Sequence, residues 1–465
     1  MSSEVNRIEH DGFGEVKVPQ SAYWGSSTQR ASEIFQVSCE KFPHELIHML
    51  GIQKKAAALS NIELGFIDKK ITKAMLMAID ELISGQYDDQ FPLTIWQTGS
   101  GTQTNMNANE IIANRANEIL GHEKGTKSPV HPNNHVNLGQ SSNDTFPTVM
   151  RIVAYHAVIA SLIPALQSLK ASLTVKATQF QGIVKIARTH LMDAVPVNLT
   201  MNFEVYTKQC EHNIDRLKDS LKRVRELPQG GTAAGSGLNM HPHFPEKFIK
   251  NLNELTGYTF SSLKVKNEGM SAHDALVELS GTLNVIATSM MKIANDIRWG
   301  ASGPRCGINE ILLPIDGLTS SSMPGKVNPT QSEMMIQICA QVMGNHQTIT
   351  IAGSNGNFEF CNWNPVIIYN LLQSIRILED GINSFNKNCI AKIDVNRDVI
   401  KEKLAKSLSL VTALNFHIGY DKASEVAVKA LKENITIKEA ALQLNYLTAE
   451  QFDKLVDPIK MANPF

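Results

Sequence analysis

The strongest constraint on the fold is a heptad pattern of apolar residues in the middle of the chain. The apolar positions alternate in steps of three and four, which is the spacing of one face of a long α-helix. This seam consists of Leu276, Leu279, Leu283, Ile286, Met290, Ile293 and Ile297. A helix over this stretch would be roughly 30–40 Å long, at about 1.5 Å per residue.

Three further segments repeat this spacing, so the sequence predicts several long helices that pack as a bundle. Their seams are Ile368, Leu371, Ile375, Leu378 and Ile382; Met335, Ile338, Val342 and Ile349, with Asn345 on the seam; and Ile152, Ile159, Ile163 and Leu166, with His156 on the seam.

The segment from Leu279 to Met291 contains no charged residue, although its serines, threonines and Asn284 argue against a membrane span. A helix that is weakly polar on all sides is usually buried on all sides. We therefore predict burial against other copies of the chain, with burial inside one large domain as the alternative.

The 465 residues are enough for more than one domain. We predict a mixed, mainly helical N-terminal domain over residues 1–138, with a short strand near Phe13–Val18. A central bundle of long helices follows over 139–396, and a small helical domain over 397–465.

The overall charge and the cysteines limit the classes of partner. A formal net charge of −1 gives no global field for nucleic acid or an anionic membrane. The six cysteines form no CxxC pair, which argues against a zinc site or a disulfide scaffold and favours a reducing compartment. The N-terminus lacks the features of a signal or transit peptide. We expect a cytoplasmic protein, with a processed mitochondrial form as the alternative.

Two segments rich in Ser, Thr, Asn and Gly are candidates for anion binding. The first is TGSGTQTNMNANE at 98–110, whose hydroxyl and amide donors suit a carboxylate. The second is GQSSNDTFPTVM at 139–150, which precedes a helix whose N-terminus would attract an anion. Ordinary helix capping is the alternative interpretation of both segments.

Two later segments are candidates for proton transfer and charge stabilisation. ARTHLMDAVP at 187–196 contains His190, a residue type suited to proton transfer near neutral pH, although most single histidines are structural. GLTSSSMPGKVNPTQSE at 317–333 has the Pro and Gly of a mobile loop, with Lys326 and Asn328 as partners for a carboxylate. A plain surface loop is the alternative for the latter segment.

Taken together, these motifs resemble those of class II fumarate hydratases, within the aspartase/fumarase superfamily. TSSSMPGKVNP matches the superfamily signature GSSxMPxKxNP at all but its first position. Six other motifs match in order, so the resemblance extends over essentially the whole chain. They are WQTGSGTQTNMNANE, HVNLGQSSNDTFPT, RTHLMDAVP, GGTAAGSGLN, NFEFCNWNPV and LVTALNFHIGYDKASEVA.

The resemblance implies a mainly α, three-domain fold whose central five-helix bundle forms a twenty-helix core in a homotetramer. It also implies active sites built by segments from three subunits, without a metal or organic cofactor. Gly325 and Thr330-Gln331 look like the fumarase version of the signature; aspartate ammonia-lyases typically have Ala and then an apolar residue there. The expected activity is hydration of fumarate to L-malate in the tricarboxylic acid cycle. An aspartate ammonia-lyase or related lyase, and a non-catalytic helical scaffold, are the alternatives.

The resemblance further assigns roles to individual residues. Ser320 would be the base, His190 would act on the departing hydroxyl, and Glu333 would orient His190. The substrate-binding set would be Ser100, Gly101, Thr102, Ser141, Ser142, Asn143, Thr189, Ser321, Lys326, Val327 and Asn328. A second, peripheral dicarboxylate site would comprise His131, Pro132, Asn133 and Asn134, with capping or surface roles as the alternative.

The chain departs from the family pattern at a few of these positions. Asn134 replaces an acid of the peripheral site, and Thr319 replaces the glycine before the serine pair, which would stiffen the loop. Ser322 stands where an apolar residue is common, so three consecutive serines leave Ser321 as an alternative to Ser320 for the base.

Overall fold

A computed structural model describes residues 5–463, and most of these residues are helical. The mainly α fold that the heptad seams predict is therefore confirmed. The α-helices are α1 (Ser26–Ile34), α2 (His44–Glu63), α3 (Lys69–Ile83), α4 (Thr102–Ile119), α5 (Ser142–Ala157), α6 (Ile163–Gln179), α7 (Thr200–Val224), α8 (Phe244–Thr256), α9 (Glu268–Ser271), α10 (Asp274–Gly300), α11 (Thr330–Gly353), α12 (Asn364–Phe385), α13 (Arg397–Lys406), α14 (Asn415–Ile418), α15 (Tyr420–Glu433), α16 (Ile437–Gln443), α17 (Ala449–Leu455) and α18 (Pro458–Ala462).

The strands in the described part of the chain form two-stranded sheets. The antiparallel pairs are β1 (Asn6–Asp11) with β2 (Gly14–Pro19), β3 (Val184–Thr189) with β4 (Met192–Asn198), β7 (Ile311–Leu312) with β10 (Asp394–Val395), and β8 (Gly356–Asn357) with β9 (Phe360–Cys361); β5 (Glu226–Leu227) and β6 (Ser261–Ser262) are parallel. The strand predicted near Phe13–Val18 is thus confirmed as β2.

The described residues divide into two compact units. The first comprises 5–163, Asp215–Val285 and Ala340–Leu378; the second comprises Pro164–Ile214, Ile286–Cys339 and 379–463. Several of the boundaries fall inside long helices, including α7, α10, α11 and α12. The division into three domains, 1–138, 139–396 and 397–465, stays a prediction.

Helix α10 carries the longest seam as predicted. All seven apolar residues of the seam, from Leu276 to Ile297, are fully buried. The seam on α12 is buried in the same way, with exposures of 0–1 %. On α11 the predicted polar seam position Asn345 is also buried, and its amide donates to Ser374 Oγ at 3.0 Å. A buried amide with a partner is compatible with an otherwise apolar seam.

The seam predicted over 152–166 needs a correction. Ile152 and Leu166 are buried, but Ile159 is only half-buried because the helix is π-helical over Val158–Leu162. This wider turn shifts the register, so that Val158 and Leu162 take the fully buried positions. Pro164 lies two residues after Leu162, and its missing N–H disturbs the regular hydrogen-bond ladder at this point.

One helical stretch in the part of the chain that the structure describes, Ser142–Gln179, is long and apolar enough to cross a membrane. Its most apolar window has a mean hydropathy of 1.7, but 61 % of that window is buried inside the protein. The core helix of a soluble protein meets the same criterion of length and composition.

The C-terminal helices of the second unit pack around a cluster of their own. This cluster includes Leu414, Val426 and Phe452, each 6 % exposed or less. Two valines of α15 make the role of this cluster testable, because Val426 is fully buried while Val428 is 47 % exposed.

We predict that Val426→Ala lowers the local stability of the C-terminal helices by about 2 kcal/mol, because it removes buried methyl groups and leaves a cavity. Hydrogen exchange of residues 397–463 measures this change. Val428→Ala, the same substitution two residues further on, should change exchange protection by less than about 0.5 kcal/mol. Equal effects of the two substitutions would contradict the assignment of the cluster.

Candidate active site

The first polar motif lies in the first unit, where the chain enters α4. Ser100 Oγ and Thr102 Oγ1 are 2.7 Å apart on either side of Gly101, which precedes the first residue of the helix. Gly101 has a φ of +71°, and a Cβ there would lie 2.5 Å from the buried ring of Phe146. Only glycine fits this turn, so its conformation keeps the two hydroxyl groups side by side.

The second motif begins α5 with a capping box. Ser141 Oγ accepts from the Asn143 N–H at 3.2 Å, and Asp144 accepts from the Ser141 N–H at 2.9 Å. The capping interpretation therefore holds for Ser141. Ser142 and Asn143 instead reach other segments: Asn105 Nδ2 donates to Ser142 Oγ at 2.9 Å, and Asn143 Nδ2 donates to the Ala233 carbonyl at 2.9 Å.

Asp144 joins the start of α5 to the glycine-rich segment GGTAAGSG. Its other carboxylate oxygen accepts the backbone N–H groups of Gly230 and Thr232, both at 2.9 Å. The side chain is fully buried, and this burial raises the pKa of Asp144 to about 6 against the lowering effect of the N–H donors. The structure thus brings together three motifs that are well separated in sequence, those at 98–110, 139–150 and 230–237.

A buried polar network lies behind these motifs, and sequence reasoning did not identify its centre, Lys54. This side chain is 1 % exposed and donates to Asn137 Oδ1 at 3.1 Å and Gln140 Oε1 at 3.0 Å. The spacing of Lys54 on α2 could have revealed it. Lys54 lies four residues after Leu50 and eight after Leu46, and therefore on the same face of the helix as these two fully buried leucines.

The predicted peripheral site lies at a π-helical turn, Pro132–Val136. His131 Nδ1 accepts from the N–H groups of Asn133 and Asn134, at 3.1 and 3.3 Å, so the ring caps this turn. Burial, followed by the charges of Lys127 and His135, lowers the pKa of His131, which favours its neutral form as an acceptor. The dicarboxylate site assigned to His131, Pro132, Asn133 and Asn134 stays a prediction.

In the second unit, His190 lies at the tip of the β3–β4 hairpin. His190 and Leu191 form its two-residue turn, and both have positive φ values, +56° and +63°. Tight hairpins require such values, but glycine and asparagine adopt them at lower cost than histidine or leucine. His190 is therefore held on a strained turn, beside Thr189 at the end of β3, and both side chains are exposed.

Buried Glu310 anchors the same hairpin. Its carboxylate receives Arg188 Nη2 at 2.6 Å and lies 3.2 Å from Lys185 Nζ. Burial raises the pKa of Glu310, but the Arg188 hydrogen bond and the charge of Lys185 outweigh it, so the pKa is lowered. The ionised carboxylate fixes the strand one residue before Thr189.

The loop 317–328 directs backbone N–H groups at the Ser320 side chain. The Ser320 side-chain oxygen accepts two backbone N–H groups, from Ser322 at 3.4 Å and Met323 at 3.3 Å. The Ser320 N–H donates to the Lys326 carbonyl at 3.3 Å, and Thr319 pairs with Val327 in an isolated bridge. Backbone N–H groups aimed at this oxygen would partly stabilise a negative charge on it.

The end of this loop is tied to the start of α11. Thr330 Oγ1 donates to Asp316 Oδ2 at 2.6 Å, and this bond is the main reason that the pKa of Asp316 is lowered. Glu333 lies exposed in the first turn of α11, and its N–H donates to the Pro329 carbonyl. Gly325 has a φ of +77°, a value that would strain any residue with a Cβ.

The single chain does not assemble all the predicted residues of the second unit. Over residues 5–463, no hydrogen bond or ion pair joins His190 to Ser320, Lys326 or Glu333. Ser321, Lys326, Val327 and Asn328 share the loop of Ser320, while Thr189 shares the hairpin of His190. The same described residues contain no group of three or more His, Cys, Asp or Glu side chains that could hold a metal ion.

Two family models and several known proteins match this chain. Residues 14–344 match a family model described as lyase, and residues 410–463 match one described as the C-terminus of fumarase C. The chain is 53 % identical to a class II fumarate hydratase of Nitrosomonas europaea over 98 % of both chains. It is 52 % identical to the mitochondrial fumarate hydratase of Danio rerio, over 100 % of this chain and 91 % of that protein.

The solved structures agree with these relatives. A class II fumarase from Schistosoma mansoni superposes with a TM-score of 0.96 at 39 % identity, covering 99 % of this chain and all of that one. The protein is a lyase of the aspartase/fumarase fold. Within that class, the chain belongs to the class II fumarate hydratase family.

The packing at Gly101 yields a prediction on stability. Gly101→Ala should lower the melting temperature by more than Gly121→Ala, although both residues have positive φ. Both substitutions strain the backbone by about 1 kcal/mol, but only Gly101→Ala also forces a Cβ against Phe146, at a further cost of about 1–3 kcal/mol. A Cβ at Gly121 meets nothing within 4 Å, so equal shifts of the melting temperature would disprove the steric argument.

Proposed function

We propose that this chain catalyses the reversible, stereospecific addition of water to fumarate, giving L-malate. The observation that carries the proposal is the environment of Ser320, whose oxygen accepts two backbone N–H groups inside the signature loop. A serine is a poor base at its ordinary pKa, and backbone donors to its oxygen would help it to act as one. The full-length likeness to fumarate hydratases of Nitrosomonas europaea and Danio rerio supports the choice of substrate.

In the direction of dehydration, the Ser320 alkoxide removes a proton from C3 of L-malate. The electron pair left on C3 spreads into the adjacent carboxylate and gives an aci-carboxylate with an additional negative charge. The C2–O bond then breaks, the double bond of fumarate forms, and the hydroxide leaves as water after receiving a proton. Hydration runs through the same steps in reverse.

Charge stabilisation decides the rate of this reaction, because the aci-carboxylate carries more charge than the bound substrate. Lys326 supplies a cation and Asn328 a directional N–H donor on the loop of Ser320, with Ser321 and Val327 beside them. The hydroxyl and amide groups of Ser100, Thr102, Ser141, Ser142, Asn143 and Thr189 would hold the substrate and the reacting water. Gly101 keeps the first two of these side by side.

His190 would give the departing hydroxide its proton, directly or through a water molecule. Histidine is suited to this role because its pKa is ordinarily close to neutrality. Glu333 would orient the imidazole and favour its charged form. Among residues 5–463 of one chain, no hydrogen bond or ion pair joins these two residues, so we infer that His190 of one copy pairs with Glu333 of another.

We infer a homotetramer in which three subunits contribute to each site. One would supply the segments that contain Ser100 and Ser142, another the His190 hairpin, and a third the Ser320 loop. The stretch of α10 from Leu279 to Met291 supports this arrangement, because it contains no charged residue although Val285 and Thr288 are exposed in the single chain. Twenty long helices, five from each copy, would form the core.

The proposed enzyme works without a metal or organic cofactor and belongs to the tricarboxylic acid cycle. Its proposed location is the cytoplasm; mitochondrial relatives, such as that of Danio rerio, keep a processed organellar form as the alternative. The peripheral dicarboxylate site around His131 and the domain boundaries at 138 and 396 belong to the same proposal.

The first test is the ultraviolet absorbance of fumarate after purified protein is mixed with L-malate. We expect the absorbance to rise without added metal and the rise to persist in EDTA. An ammonia-lyase would instead leave malate unchanged and release fumarate and ammonia from L-aspartate. Inactivity towards both substrates, with an intact oligomer by sedimentation, would favour the helical scaffold.

The consecutive serines allow a matched test of the base. We expect Ser320→Ala to lower kcat by about 10²–10⁴-fold, the range typical for loss of an acid–base group. Ser322→Ala keeps the backbone N–H that Ser320 accepts, so kcat should stay within about threefold of the original. His190→Ala should also lower kcat strongly. Normal turnover of Ser320→Ala, with loss in Ser321→Ala, would move the base by one residue.

A further inference from the structure

Lys54 occupies a position at which a charged side chain is costly. It continues the buried face of α2 formed by Leu46 and Leu50, and it is 1 % exposed. Burying an ammonium group disfavours folding unless its hydrogen bonds are satisfied. A methionine would fill similar space without that cost, so the contacts of the ammonium group need an explanation.

The contacts of Lys54 are with neutral amides. Its Nζ donates to Asn137 Oδ1 at 3.1 Å and to Gln140 Oε1 at 3.0 Å, and no carboxylate of the described residues lies within ion-pair distance of it. Burial lowers the pKa of Lys54 to about 7, while the charge of Asp144 acts to raise it. Stabilising a carboxylate through direct contact is therefore not its role.

The ammonium form of Lys54 has only donors, and even its neutral amine has two N–H groups for its two amide partners. Asn137 and Gln140 must consequently present their oxygens to it, which fixes the direction of the network. Asn137 Oδ1 then also accepts the side-chain amides of Asn105 at 3.2 Å and Asn109 at 3.1 Å. The remaining Asn137 Nδ2 donates to the Gln140 carbonyl at 3.2 Å, which ties the loop just before Ser141.

Asn105 links this network to the proposed substrate-binding segment at 139–150. Its Nδ2 also donates to Ser142 Oγ at 2.9 Å, so the Ser142 oxygen accepts from the protein and its own proton remains available to another acceptor. In this orientation Asn105 Oδ1 is buried without a hydrogen-bond partner. If the side-chain amide of Asn105 were reversed, its Oδ1 would face Asn137 Oδ1, and two acceptors would meet without a proton between them. The reversed amide would also accept the hydroxyl proton of Ser142.

We propose that Lys54 is a positioning residue, which acts through Asn137 and Asn105 to make Ser142 donate its hydroxyl proton to a carboxylate of the substrate. Ser142 is half-buried at the start of α5, where a helix N-terminus also favours an anion. This inference rests on the proposed function, because it assigns the Ser142 hydroxyl to the dicarboxylate.

The first experiment replaces Lys54 with methionine and measures hydration kinetics. Lys54→Met should raise KM for fumarate and for L-malate about tenfold and change kcat less than about threefold, because it weakens a contact made to the bound substrate throughout the reaction. Lys55→Met is the matched control. Lys55 is the next residue on the same helix, but it pairs with Asp80, so KM should stay within about twofold.

A double-mutant cycle separates positioning from a general loss of structure. If Lys54 acts through Ser142, then Ser142→Ala alone and the double variant Lys54→Met/Ser142→Ala should have the same KM, about tenfold above the original. A double variant whose KM rises by the product of the two single effects, about a hundredfold, would overturn the proposal. So would an unchanged KM in Ser142→Ala.

Further controls keep the result interpretable. Circular dichroism and sedimentation check that each variant folds and assembles. If Lys54→Met fails either check, Lys54→Gln takes its place in the cycle. Lys54→Gln retains an N–H donor and should give a KM between those of the original and Lys54→Met. Absence of hydration activity in the unsubstituted protein would refute the proposed function, whereas multiplicative effects in an active enzyme would refute only the role of Lys54.

Discussion

The buried carboxylate of Asp144 is the contact on which the rest of the first unit depends. It accepts three backbone N–H groups from two separate segments, so it both starts α5 and fixes the glycine-rich turn at 230–232. Burial penalises its charge, and the oriented N–H groups offset only part of that penalty. The polar residues around α5 are therefore held in place by the hydrogen bonds of one buried carboxylate.

The long helices could be predicted from the sequence because their burial leaves a period. The seam of α10 is regular over its whole length, and every predicted position is buried. The seam over 152–166 was predicted less well, since the sequence does not reveal a π-helical turn at Val158–Leu162. A π-helical turn changes which backbone groups form hydrogen bonds but needs no particular residue types. In this sequence, only the position of Pro164 indicates it.

The candidate site shows the same contrast. The motifs at 98–110, 139–150 and 317–333 were recognisable because dense Ser, Thr, Asn and Gly interrupt helical periodicity. Lys54 was missed because its partners at 137 and 140 are more than eighty residues away, and a lysine inside a helix ordinarily indicates a solvated face. The capping role of His131 and the anchoring of the His190 hairpin by Glu310 likewise depend on geometry that the sequence does not encode locally.

The donors to the Ser320 oxygen are backbone N–H groups, so the loop should tolerate changes in the side chains that carry them. A side-chain substitution at Ser322 or Met323 leaves each N–H in place, so the environment of the oxygen is robust to most single replacements. The loop must instead keep its backbone conformation. This conformation depends on the left-handed turn at Gly325 and on the hydrogen bond between Thr330 and Asp316. Variation within a family should therefore be freer in the identities of these side chains than in the number of residues between them.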